Sequence, residues 1–73
     1  MSKYYGVEEI DELDNMTCEV FGEDKEKAVS YLKQRHAVLK SNLTGYEEIK
    51  TENGYKFEND NKFVEISLVE TEV

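Results

Sequence analysis

The sequence predicts an α+β domain in which one long helix packs on one face of an antiparallel β-sheet. Residues 24–43 repeat apolar side chains at helical spacing, and the residues that follow Gly45 repeat them at every second position. Asn53-Gly54 is a strong signal for a hairpin turn. Together these observations predict the element order ββαβββ and a single domain over residues 1–73.

The first stretch of the chain is compatible with two structures. Residues 3–9 alternate as a strand does, whereas Val7, Ile10 and Leu13 recur every three residues, which suits a short acidic helix over residues 6–14. We favour the strand, and the short helix stays open as the alternative.

A second strand is predicted at residues 16–21, after a turn at residues 13–15. Met16, Cys18 and Val20 alternate with polar or larger neighbours and share one face of this strand. We expect that face to point to the core. Cys18 would then be buried and inert, because no basic residue lies near it in the sequence to activate the thiol.

The helix is predicted from Asp24 to Leu43. Asp24 suits the N-cap position, and Gly45 can adopt the left-handed conformation that often follows a helix. No proline interrupts the segment. Five apolar side chains fall within about one quadrant of the helical wheel. They are Ala28, Val29, Leu32, Leu39 and Leu43.

The first hairpin after the helix can be closed in two registers. A three-residue loop over residues 52–54 pairs Ile49 with Phe57 and gathers Ile49, Tyr55 and Phe57 on one face. A two-residue loop would place Ile49 on the opposite face. We choose the three-residue loop, with Gly54 left-handed in a bulge.

The second hairpin is predicted to turn at Asp60-Asn61. A two-residue loop there pairs Phe57 with Val64 and continues the same apolar face, so the two turns agree. The last strand, from Phe63 to about Thr71, is the longest and most apolar of the strands. We therefore place it inside the sheet.

One helix covers only one face of such a sheet, so the other face stays open. Phe63 and Val69 are predicted to point to that open face, beside Glu65. Apolar side chains exposed next to an acidic one are typical of a surface that binds another protein or a second copy of the chain. These three residues are the candidate interaction surface.

The chain is acidic, with a net charge of −8 from 17 acidic and 9 basic residues. This charge opposes direct binding to nucleic acid at long range, although residues 25–43 are basic. No apolar run is long enough to span a membrane, and the first residues lack the apolar segment of a signal peptide. Together with the single cysteine, these features predict a cytoplasmic protein.

No catalytic, metal or cofactor site is predicted. His36 is the only histidine, and we expect it to be packed as a structural residue; a dyad with Cys18 is conceivable in space, but nothing in the sequence requires it. The acidic runs at residues 8–14 and 58–61 lack the spacing and the central glycine of a calcium loop. We therefore predict a protein that is not an enzyme.

The general composition resembles that of small accessory proteins from phages and prophages of Gram-positive bacteria. The chain is short, rich in Glu, Lys and Asn, and free of Pro and Trp. This resemblance implies a cytoplasmic accessory protein and transfers no residue roles. We predict a module that binds a protein partner or forms a homodimer. The alternative is an acidic mimic of nucleic acid that inhibits a nucleic-acid-binding protein of the host.

Overall fold

The computed structural model describes residues 2–72, which form five strands and one helix. In chain order these are β1 (Lys3–Asp11), β2 (Met16–Val20), α1 (Lys25–Asn42), β3 (Glu47–Lys50), β4 (Gly54–Asn59) and β5 (Lys62–Glu72). Neighbouring strands are antiparallel, and their order in the sheet is β2-β1-β5-β4-β3. The predicted class, the ββαβββ order and the interior place of the last strand are confirmed. The first segment is a strand and not a helix.

α1 begins and ends close to the residues that the sequence indicates. Asp24 is the N-cap, and its carboxylate accepts a hydrogen bond of 3.1 Å from the backbone N–H of Lys27. At the other end the backbone N–H of Leu43 donates to the carbonyl oxygen of Leu39 at 2.8 Å. Gly45 follows with a left-handed φ of 88°. An N-cap of this kind stabilises a helix by about 1 kcal/mol.

The core lies between α1 and the three central strands. Its buried side chains are Val7 of β1, Phe57 of β4, Ile66 of β5, and Ala28 and Leu39 of α1. Burial of one large apolar side chain contributes roughly 1.5–3 kcal/mol. A domain of this size has room for few such residues, so the contact between helix and sheet is its principal source of stability.

The β4–β5 hairpin has the predicted register. Asn59 lies opposite Lys62, which leaves the two-residue loop Asp60-Asn61, and Phe57 lies opposite Val64. The first loop residue has a left-handed φ of 54°, a conformation that aspartate tolerates better than most residues. The apolar face that this turn predicts is therefore present in the core.

The predicted register of the β3–β4 hairpin is wrong by one residue. Ile49 lies opposite Lys56 instead of the expected phenylalanine, and the backbone N–H of Thr51 donates to the carbonyl oxygen of Gly54 at 3.0 Å. The loop is therefore Glu52-Asn53. Because opposed residues share a face, Ile49 lies on the face of the sheet that α1 does not cover.

Close packing of β4 against β5 explains why Gly54 belongs to the strand and not to the turn. A Cβ atom at Gly54 would lie 1.8 Å from the carbonyl oxygen of Ile66. Beside it, the carbonyl oxygen of Asn53 accepts a hydrogen bond of 2.8 Å from the backbone N–H of Leu68. The glycine is required by the approach of two backbones, and its φ is not left-handed.

The prediction that the apolar residues of β2 face the core is also wrong. Core residue Val7 lies opposite Glu19, whereas Cys18 lies opposite Glu8 on the other face of the sheet. All five residues of β2 are exposed, so α1 does not cover this edge strand. Cys18 is consequently an exposed free cysteine and not a buried one.

Candidate interaction surface

The face of the sheet opposite α1 is called the open face below. The strand registers place on it the side chains that alternate with the core residues. Its apolar members come from four of the five strands. They are Tyr4, Ile10, Met16, Val20, Ile49, Phe63 and Val69.

The three residues predicted as an interaction surface share the open face. Phe63, Glu65 and Val69 are alternate residues of the central strand β5, and all three are half-buried. Ile66, which lies between Glu65 and Val69 in sequence, points to the opposite side and is fully buried. The structure therefore brings the predicted residues together, and it adds neighbours from β1 and β2 that the sequence did not reveal.

One row of the open face crosses the whole sheet. Glu65 lies opposite Lys56 on one side and opposite Ile10 on the other. Ile49 continues the row at the β3 edge, and Met16 continues it at the β2 edge. The centre of this row is a pair of opposite charges, and its two ends are apolar.

The most exposed apolar side chains of the open face lie at its β1–β2 end. Val20 is 69% exposed, Met16 is 59% exposed and Tyr4 is 40% exposed. These residues, with Ile10 and Val69, are called the apolar patch below. Neighbouring apolar side chains with such exposure are typical of binding surfaces.

Gly6 is a closely packed position within the apolar patch. It lies between Val69 and Val20 in a row across three strands. A Cβ atom at this position would be 2.9 Å from the backbone carbonyl oxygen of Glu19, 3.4 Å from Cγ2 of Val69 and 3.5 Å from Sγ of Cys18. Gly6 is itself buried, so the neighbouring groups fill the space above it.

Carboxylates lie within and beside the apolar patch. Glu8 is in the row Ser67–Glu8–Cys18, which separates Val69 and Val20 from Ile10 and Met16, and Glu65 lies beside Ile10 on β5. Lys56 is already engaged, because its ammonium group lies 3.6 Å from Oε2 of Glu58 and 5.0 Å from the ring centroid of Phe63. The apolar side chains of the patch are consequently interspersed with negative charge.

Sequence reasoning missed Met16 and Val20 as surface residues. A usable signal existed, because Val7 and Ile10 are three residues apart and must lie on opposite faces of a strand. With Val7 in the core, Ile10 faces outward, and a turn at residues 13–15 then places Met16 beside Ile10. The helix-like spacing of the same residues obscured this conclusion.

His36 is packed, as predicted. Its ring stacks on Tyr55 with centroids 3.6 Å apart, and Nε2 lies 3.0 Å from Oε1 of Glu48. Cys18 is on the open face, whereas His36 approaches the sheet from the side of α1. The conceivable Cys18–His36 dyad therefore does not form.

The acidic run at residues 8–14 is divided between both faces of the sheet. Glu8 is on the open face, and Glu9 is on the covered face. The carboxylate of Asp11 accepts hydrogen bonds from the backbone N–H groups of Leu13 and Asn15 at 2.9 and 3.1 Å. Desolvation opposes the shift, but these hydrogen bonds outweigh it and lower the pKa of Asp11.

No metal site is found in the described part of the chain. Within residues 2–72, no group of three or more His, Cys, Asp or Glu side chains has an arrangement that could hold a metal ion. In the run at residues 58–61, Asp60 lies in the β4–β5 turn, as the sequence indicates, and Glu58 is the last but one residue of β4.

Comparison with known proteins gives no match to a family model, a curated protein or a solved structure. In the part of the chain from residue 2 to residue 72, no helix has the length and apolar character needed to cross a membrane. The fold and the open face alone therefore define the class, a small acidic α+β domain with an uncovered sheet face.

Proposed function

We propose that the protein is a non-enzymatic interaction module that binds another protein through the open face. The observation that carries this proposal is the apolar patch. Met16 and Val20 are each more than half exposed, beside a strand whose other face holds the core. Burying these side chains in a complex would remove apolar surface from water at about 25 cal/mol per Å².

The surroundings of the patch indicate the chemistry of the partner. Glu8 lies within it and Glu65 beside it, and the nearby Lys56 is already paired with Glu58. A complementary partner surface combines apolar side chains with lysine or arginine.

The packing of the histidine supports a structural role for it. His36 is held between the ring of Tyr55 and the carboxylate of Glu48, on the side of the sheet that α1 covers. The proposed binding surface is on the opposite side. A function of the open face would therefore not depend on His36.

We also propose, from composition alone, that the protein is a cytoplasmic accessory protein of a phage or prophage. The acidic-mimic alternative also stays a prediction. The acidic run at residues 8–14 does not form one phosphate-like row, because Glu8 and Glu9 point to opposite faces and Glu9 binds Arg35. We therefore give priority to the apolar patch.

Selection from a random peptide library displayed on phage tests the proposal with a defined set of probes. The enriched peptides should share apolar residues flanked by lysine or arginine. Phe63→Asp and Val69→Asp each place a charge on the open face, and each should weaken binding of these peptides by about tenfold or more. Circular dichroism of both variants establishes that they remain folded.

Val38→Asp is the matched control, because Val38 is an exposed valine of α1, 42% exposed and outside the open face. This variant should bind the peptides as the original chain does. The proposal fails if no peptide is enriched, or if folded open-face variants bind the selected peptides as tightly as the control.

A further inference from the structure

We infer that the free edge of β2 pairs antiparallel with β2 of a second copy, so that two five-stranded sheets join into one. This inference goes beyond the proposed function, because the edge of the sheet and its open face are different surfaces. The partner is a second copy of this chain, and the argument rests on the two edge strands, the direction of their backbone groups and the symmetry of the β2 sequence.

The two edges of the sheet are not equally protected. β3 consists of Glu47, Glu48, Ile49 and Lys50, so three of its four residues are charged. β2 is longer and carries a single charge, Glu19. Charged and short edge strands resist pairing with another chain, whereas a five-residue edge with one charge permits it.

The backbone of β2 presents hydrogen-bonding groups to its free side. The N–H of Phe21 donates to the carbonyl oxygen of Tyr5 at 2.9 Å, and the carbonyl oxygen of Asn15 accepts from the N–H of Asp11 at 3.2 Å. These odd-numbered residues bond to β1, so the even-numbered residues between them direct N–H and C=O groups to the edge. The even-numbered residues are Met16, Cys18 and Val20.

The sequence of β2 is self-complementary about Cys18. With Cys18 on a two-fold axis, Met16 lies opposite Val20 of the second copy, and Thr17 lies opposite Glu19 of the second copy. All five residues are paired, and no like charges face each other. Centring on Glu19 would oppose two carboxylates, and centring on Thr17 would leave Val20 beyond the partner strand.

This arrangement also enlarges the apolar patch. A two-fold axis perpendicular to the sheet keeps the open faces of both copies on the same side. Met16 and Val20 of one copy then lie beside Val20 and Met16 of the other, so two patches merge at the axis. The dimer offers a protein partner one wide apolar surface instead of two narrow ones.

Light scattering and sedimentation of the original chain and of charge variants test the inference. The original chain should have the mass of two 8.5 kDa chains. Thr17→Glu places a carboxylate opposite Glu19 of the second copy and should weaken dimerisation by at least about tenfold. The new carboxylate also lies opposite Glu9 of the same chain, so circular dichroism must show that the variant remains folded. The double change Thr17→Glu with Glu19→Lys restores opposite charges and should recover the dimer.

Thr44→Glu is the matched control, because it adds the same charge at an exposed residue between α1 and β3. It should leave dimerisation unchanged. A chain that stays monomeric near ~0.1 mM overturns the inference, and so does a dimer that Thr17→Glu does not weaken.

The single cysteine supplies a second readout. A short bismaleimide should join two copies through Cys18, and Thr17→Glu should suppress this cross-link. The pair Cys18→Ser with Ser41→Cys moves the exposed thiol to α1 and should not cross-link at the same concentration. An original chain that is monomeric but still binds the selected peptides would overturn the inference and leave the proposed function intact, so the two failures are distinguishable.

Discussion

The guanidinium group of Arg35 on α1 donates hydrogen bonds to both carboxylate oxygens of Glu9 on β1, at 2.6 Å from Nε and 3.2 Å from Nη2. This hydrogen bonding is the main reason why the pKa of Arg35 is raised above its ordinary value, and partial burial opposes the shift. The pair fixes the position of α1 over the sheet. Because successive residues of a strand point to opposite faces, Glu8 lies on the open face.

Removing the charge of Glu9 should destabilise the fold. Glu9→Gln weakens a two-point contact, and because Arg35 is one-third exposed we expect a loss of only about 1 kcal/mol in the free energy of unfolding. Glu8→Gln, one residue away on the open face, should change it by less than about 0.5 kcal/mol. Urea unfolding measures both, and equal losses would contradict the assigned faces.

The register of the β3–β4 hairpin can be tested at Gly54. Gly54→Ala drives a methyl group into the carbonyl of Ile66 and should cost about 3 kcal/mol or more. Gly22→Ala is the control, because Gly22 is left-handed with φ 64° and has open space around it, so only about 1–2 kcal/mol is expected. Similar losses of stability in the two variants would indicate instead that Gly54 is a left-handed glycine in the turn.

Asp11 should make the β1–β2 turn sensitive to acid. Desolvation opposes the shift, but hydrogen bonds from Leu13 and Asn15 lower its pKa below 3.8 in the folded state. Its contribution is present above pH 3.8 and is lost as the pH falls through the lower folded pKa. The stability difference between the original chain and Asp11→Asn should therefore vanish in acid. Asp14→Asn, in the same turn, controls for the lost charge. If the difference in stability between the original chain and Asp11→Asn persisted at low pH, the assigned role of Asp11 would be refuted.

The carboxylates within and beside the apolar patch should contribute modestly to peptide binding. Glu8→Gln with Glu65→Gln should weaken the selected basic-flanked peptides by about threefold to tenfold at low salt, and less at high salt. Glu23→Gln with Glu26→Gln removes two charges elsewhere and should have little effect. A loss of several orders of magnitude with added salt would instead favour the acidic-mimic alternative.

Local sequence signals were sufficient to predict the structure where a residue type has a single common structural role. Asp24 and Gly45 mark the ends of α1, because a side-chain cap and a left-handed glycine are local features. The β4–β5 register was predictable because a two-residue loop at Asp60-Asn61 gives Phe57 and Val64 the same face. The predicted open-face residues of β5 follow from that register.

The remaining errors come from contacts between distant segments. A glycine at position 54 could serve either as a left-handed turn residue or as a strand residue where two backbones approach closely. Only the position of β5 in the folded chain shows that the second role is correct. β2 alternates as a buried strand does, but it is an edge strand outside the cover of α1. Alternation shows which residues share a face, but not which face is covered, so Cys18 was placed on the wrong side.

An NMR spectrum of the methyl groups, recorded during titration with a selected peptide, tests most directly the claim that the protein binds a partner through its open face. Each methyl group has its own signal and lies in the core, on the open face or on α1. The signals therefore show which of these surfaces the peptide contacts. We predict that the signals of Ile10, Met16 and Val69 shift with the peptide while that of Val38 on α1 stays unchanged. Shifts confined to Val38 and its neighbours on α1 would contradict binding through the open face.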